Sequence, residues 1–266
     1  MLFLKNKIFW IALILLAPLT VAGRTVQLLY MTEPATGFFK QDMAGLGIAM
    51  GVVLGAALAA VLVLCRCLRP EARPRPERNI PLAVVSFLLA AVQLYEAAAV
   101  MLTDAGLGIA DVLHMLLLFG SIAFFAMLGV SSISYLPLPH ILTLLPVLLW
   151  GFRLITAFTH YTGIASIAEN ILDIAMLCFS LFFMLEQGKF LCGDKKKPGR
   201  WLLAGGVCTA VLCAAATLPR YILVLMGQSS LIHDGAMPNF TDLVLAVYII
   251  VFAASLFPWR QWKPVH

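Results

Sequence analysis

Arg153 and Arg220 lie inside segments that are otherwise as apolar as lipid, and Glu96, Asp173 and Glu186 do the same. A charge in the middle of a membrane helix costs roughly 2.5–3.5 kcal/mol on insertion scales, so such residues face a bundle interior, a partner or water. Arginine can clamp a carboxylate or phosphate with two parallel hydrogen bonds. Carboxylates beside it serve as counter-charges or proton carriers. Arg24, His114 and Glu169 complete the set of residues whose chemistry needs an explanation. The chemistry they point to is the binding of a small charged solute, with Arg153 and Arg220 as anion-binding groups and Glu96 and Asp173 as counter-charges or proton-coupling carboxylates.

The elements that position them are membrane spans. The 266 residues are 62% hydrophobic and 12% charged, with a mean hydropathy of +0.98. A soluble domain needs far more polar surface. A span needs about 20 apolar residues to cross a hydrocarbon core of roughly 30 Å. Eight such segments fit, at about 8–23 (continuing towards Met31), 44–64, 80–102, 112–134, 140–159, 167–190, 201–226 and 241–257. The count falls to seven if the first is a cleaved signal, which Lys5, Lys7, an apolar Ile8–Leu16 and the small residues Val21-Ala22-Gly23 would allow. The fold class is therefore all-α, a polytopic helical bundle forming one domain, with the lipid bilayer as its first partner.

Orientation follows from the basic residues. Eight spans from a cytoplasmic N-terminus put fourteen of the 18 lysines and arginines inside, among them the runs at 66–78 and 189–200. Trp10, Trp201, Trp259 and Trp262 fall at the same edges, where amphipathic rings prefer to sit. Both termini are thus expected in the cytoplasm. The compact loops point to a plasma membrane of the bacterial inner-membrane kind. The net charge of +5 reflects this orientation and not nucleic acid, for which no aromatic–basic patch exists. The six cysteines lie in spans or at their inner ends, so no disulfide is expected.

With the topology set, depth follows at about 1.5 Å per residue. Glu96 lies about 9 Å below the outer end of the third span. Asp111 and His114 open the fourth from outside. Arg153 is in the outer half of the fifth, and Thr156 and His160 share its face. Glu169 and Asp173, at i and i+4, open the sixth; Arg220 is in the outer third of the seventh, and Arg24 in the outer part of the first. All are on one side of the midplane, with Glu186 alone in the inner half. Polar stripes agree with inward faces on the third span (Ser86, Gln93, Glu96) and the sixth (Glu169, Asp173, Ser180, Gln187).

Two readings follow. One is an outward-facing cavity for a small anionic or zwitterionic solute, in a transporter or its membrane subunit. The other is a charge network that ties helices together in a sensor or partner-binding protein. A metal-dependent membrane enzyme is a third, since Asp111-x-x-His114 and Glu169-x-x-x-Asp173, with His160 or His233, have ligand-like spacings. No HExxH or GxSxG motif and no phosphate-binding glycine loop is present. No cofactor is implied, no metal site is assigned, and an enzyme is the least favoured reading. Gly47, Gly51, Gly55 and Ala59 recur every four residues on the second span, a small-residue stripe expected to pack inside the bundle rather than form a homo-oligomer contact. Pro18-x4-Gly23-Arg24 echoes Pro146-x4-Gly151-Phe-Arg153 only faintly, too weakly for an internal repeat. Asn239-Phe-Thr241 matches a glycosylation sequon next to the last span, where use is not expected.

Overall fold

The computed structural model describes residues 2–33, 38–66, 79–103, 108–134, 136–161, 168–193, 199–232 and 239–256. Among the described residues eight α-helices form: α1 Leu2–Val26, α2 Ala44–Arg66, α3 Ile80–Thr103, α4 Ile109–Ser134, α5 Leu144–Tyr161, α6 Ala168–Leu191, α7 Arg200–Leu225 and α8 Phe240–Ser255. Seven of them are long and apolar enough to cross a membrane. The eighth has 16 described residues and is shorter, about 24 Å at the α-helical rise. The protein is an all-α polytopic bundle. Among the described residues no strand forms, and one isolated bridge pairs Thr32 with Phe39.

Local chemistry sets the ends. α1 runs on through a π-helical turn, Gln27–Met31, so the first span reaches the length its apolar run implies. Asn79 caps α3, its Oδ1 accepting from Leu82 N at 3.2 Å. Asn239 caps α8 by accepting from Thr241 N at 3.1 Å. Gly193 and Gly227 close α6 and α7 with φ of +82° and +72°, the left-handed conformation that lets a chain leave a helix. The Pro137 to Pro139 segment forms no regular element, and an extended Pro139 hands over to a 3-10 turn, His140–Thr143, before α5.

Six helices close a circle: α3 packs on α4, α4 on α5, α5 on α6, α6 on α7, α7 on α8, and α8 back on α3. α1 and α2 lie outside it, both against α7. α7 is therefore covered on every side, and the nine residues from Leu202 to Ala210 are all buried in succession. Small residues make that possible, because a Cβ at Gly206 would come 3.0 Å from Ile249 and 3.1 Å from Phe183, one on α8 and one on α6. The other helices turn large apolar side chains outward, such as Leu19, Val53, Leu116 and Ile155. Lipid meets these as core meets core.

One expectation fails here. The small-residue stripe of α2 does not pack inside the bundle: only Gly47 is covered, by Phe39, while a Cβ at Gly51 or Gly55 would meet nothing within 4 Å. α2 touches the bundle through the strip beside the stripe, with Leu58 and Val61 buried, and its neighbour there is α7.

The interior of the circle is filled by aromatic rings. Phe125 of α4 meets Tyr248 of α8 edge to face at 5.2 Å, Phe183 of α6 meets Tyr248 at 6.5 Å, and Phe252 lies 5.9 Å from Tyr248. α8 neighbours neither α4 nor α6 in the circle, so these contacts cross its centre. The Tyr248 hydroxyl accepts from Gln187 Nε2, which gives those two atoms a partner in an apolar setting.

Candidate functional site

α3, α5 and α7 finish at the end of the bundle where α4, α6 and α8 begin. Six charged or ionisable side chains converge there within about 12 Å of the helix ends, counted at the helical rise. They surround a cavity of about 510 Å³ whose wall includes Glu96, His114, Arg153, Asp173, Arg220 and Asp242. That volume lies within the roughly 300–1,000 Å³ range of small-molecule pockets. The aromatic cluster starts below it: Tyr248 is six residues, or about 9 Å, deeper on α8 than Asp242.

Arg153 is the hub. It pairs with Glu96 and lies 4.0 Å from Asp242, so one guanidinium links α5 to both α3 and α8 across the circle. It also rests over the Trp150 ring at 5.5 Å, where the ring face attracts a cation. Glu96 is well satisfied. Beyond Arg153, it accepts from Thr241 Oγ1 at 2.7 Å and from Asn239 Nδ2 at 3.5 Å. The second pair joins neighbouring helices, with Arg220 Nη2 donating to Asp173 Oδ2 at 3.0 Å. All five side chains keep only 10–18% of their surface accessible. Charges this far from water need partners, and the pairings supply them.

Several polar atoms here are buried without a hydrogen bond among the described residues. Asp173 Oδ1 and His114 Nε2 are in the cavity wall. His114 instead stacks on Phe152 at 5.8 Å. One turn deeper than Glu96, both amide atoms of Gln93 are in the same state, and one turn deeper than Arg153 so is Trp150 Nε1. Polar character thus continues below the cavity on α3 and α5.

Of the residues singled out from sequence, Glu96, His114, Arg153, Asp173 and Arg220 share this one cavity. Arg24 does not join them. It hydrogen-bonds Gln27 on its own segment, because α1 packs behind α7, outside the circle. Gln27 in turn donates to Gly47 O at 3.1 Å, so this polar group ties α1 to α2. Glu169 belongs to α6, but its side chain lies outside the described residues, as do those of His160 and His233. Asp111 accepts from Gly108 N at 2.9 Å at the start of α4. Among the described residues no three His, Cys, Asp or Glu side chains gather as a metal set, and the Asp111/His114 pair is divided between a backbone contact and an aromatic stack. Glu186, the charge in the other half, pairs with Lys189 at 2.8 Å near the end of its helix.

Sequence reading missed Asp242 and its neighbours Asn239 and Thr241. The signal was present. Asp242 opens the last apolar helix at the same end as the other charges, and the depth argument applied to it would have found it. The Asn-Phe-Thr triplet that resembles a sequon is, in the folded chain, a helix cap whose side chains also hold Glu96. No protein family, characterised protein or solved structure matches this chain.

Proposed function

We propose that the protein handles a small charged solute, as a transporter or the membrane subunit of one, and that the cavity between α3 and α8 is where the solute binds. The observation that supports this reading is the mixed-charge cavity itself, lined from six helices. A purely structural network needs pairs but no cavity of ligand size. The aromatic cluster around Tyr248 then acts as the barrier on the far side, so the cavity is open to one face of the membrane at a time. The orientation proposed from the basic residues turns that face outward, across a plasma membrane. The competing reading, a sensor or partner-binding protein held together by its charges, is favoured by one fact: both arginines already pair with carboxylates.

A thermal-shift screen of the purified protein separates the two. Small carboxylates, phosphates, amino acids, amines and divalent metals are added in turn. A ligand that binds only the folded state raises stability by RT ln(1+[L]/Kd), about 2.7 kcal/mol at a hundredfold excess over Kd. A hit, followed by gradient-driven uptake of that compound into proteoliposomes, is the expected result. Silence across the set would sink the solute-binding reading and leave the structural network.

Orientation has its own test. Cysteines introduced at Ala105 and Gly235 are expected to react with an impermeant thiol reagent on intact cells, and one at Ala72 to stay unreacted until the cells are opened. The reverse pattern would put the cavity on the cytoplasmic face.

A further inference from the structure

The census of charge around the cavity is unequal. Among the described residues its wall holds three carboxylates, Glu96, Asp173 and Asp242, against two guanidinium groups, Arg153 and Arg220. The shortfall is local. Glu96 takes the close contact with Arg153, together with Thr241 and Asn239. What remains for Asp242 is the same guanidinium at 4.0 Å, beyond hydrogen-bond reach. Asp242 is nevertheless buried, 8% exposed as a residue and 12% in its side chain. Asp173 gives one oxygen to Arg220, while its Oδ1 is buried and accepts no hydrogen bond among the described residues. The acceptor capacity left over is therefore on Asp173 and Asp242, which flank α7 from α6 and α8.

Resting on the solute-binding reading, we propose that the solute carries a protonated amine, held by Asp173 Oδ1 and the Asp242 carboxylate. An ammonium group has three N–H donors and no acceptor, the complement of two under-used carboxylates. A simple anion would instead add a second surplus negative charge in a poorly solvated place, and like charges brought together there are strongly disfavoured. This narrows the two ligand classes the sequence left open. A simple anion is disfavoured, and a zwitterion is retained because Arg153 and Arg220 stay in the wall. A hard divalent metal ion is disfavoured, since it takes six or more oxygen ligands and, among the described residues, no three His, Cys, Asp or Glu side chains gather closely enough to hold one.

Three four-carbon probes test the idea with size held constant: butylammonium, 4-aminobutyrate and butyrate, each added to the purified full-length protein. The expected result is a rise in melting temperature with the first two and none with butyrate. Asp173→Asn and Asp242→Asn should each weaken amine binding by about ten- to a hundredfold, the loss of one hydrogen bond to a charged group. Asp242→Asn leaves the Arg153–Glu96 pair in place, so it reports on binding even where Asp173→Asn fails to fold. A shift with butyrate alone would overturn the amine assignment and keep the solute cavity. Amine binding unchanged in Asp242→Asn would overturn the placement. No shift with any of the three, while the broader screen also stays silent, would remove the solute reading itself.

Discussion

Arg153→Ala is expected to lower the stability of the purified protein by about 3–5 kcal/mol, the usual result of removing one member of a buried ion pair. Two carboxylates on two other helices depend on this guanidinium, Glu96 directly and Asp242 at 4.0 Å. Its loss strands both in a setting that solvates neither. Lys40→Ala is the control. Lys40 is exposed and its Nζ donates to the Tyr30 carbonyl at 3.1 Å, so its removal should fall within about 0.5 kcal/mol of the parent. The difference should read as a melting temperature lower by on the order of 10 °C. Adding Glu96→Gln to Arg153→Ala should recover part of the loss, because the stranded charge is removed along with its partner. Equal melting temperatures for Arg153→Ala and Lys40→Ala would show that the charges are solvated rather than embedded, and the cavity description would fall with them.

Much of this was legible before any coordinates. Span positions follow from apolar runs and from the residues that break them, and the helices end within a few residues of where composition places them. Depth is also legible, because alternating direction and a fixed rise assign each residue a height whatever its neighbours are. That is why Glu96, His114, Arg153, Asp173 and Arg220 could be grouped from sequence. Height is only one coordinate, however. Which helix stands beside which, and how each is rotated, depends on packing, and in a membrane the lipid face is as apolar as the core face. Arg24 shows the consequence. It has the right height and the wrong azimuth, since α1 lies outside the circle. The α2 stripe shows it again, with Gly51 and Gly55 left uncovered beside the strip that packs. Phe125, Phe183 and Phe252 carried no signal at all, because a phenylalanine facing lipid and one filling the interior look alike in a sequence. The polar stripes did better. Ser86, Gln93, Ser180 and Gln187 are all buried, as the lipid would require of them.

The aromatic cluster supports the second large expected effect. Tyr248 is fully buried and meets Phe125, Phe183 and Phe252 at the centre of the six-helix circle. Tyr248→Ala should cost about 3–5 kcal/mol, as large-to-small changes of aromatic core residues do. Tyr248→Phe keeps the ring and removes only the hydroxyl that Gln187 Nε2 uses. Gln187 Oε1 already lacks a hydrogen bond among the described residues, so the whole amide would then be unmet, at about 1–3 kcal/mol. Combining Tyr248→Phe with Gln187→Leu should return most of that, because an apolar pair asks for no hydrogen bond. Permeability separates barrier from mere packing. Val247 is the next residue on α8 and faces outward at 44% exposure, so Val247→Ala alters the helix without touching the cluster. If the rings close the cavity from the far side, proteoliposomes carrying Tyr248→Ala, assayed below its melting temperature, leak small solutes faster than those carrying Val247→Ala. Equal leak rates from the two would mean that the rings hold the helices together without forming the barrier, and a moving barrier would have to be sought in the helices themselves.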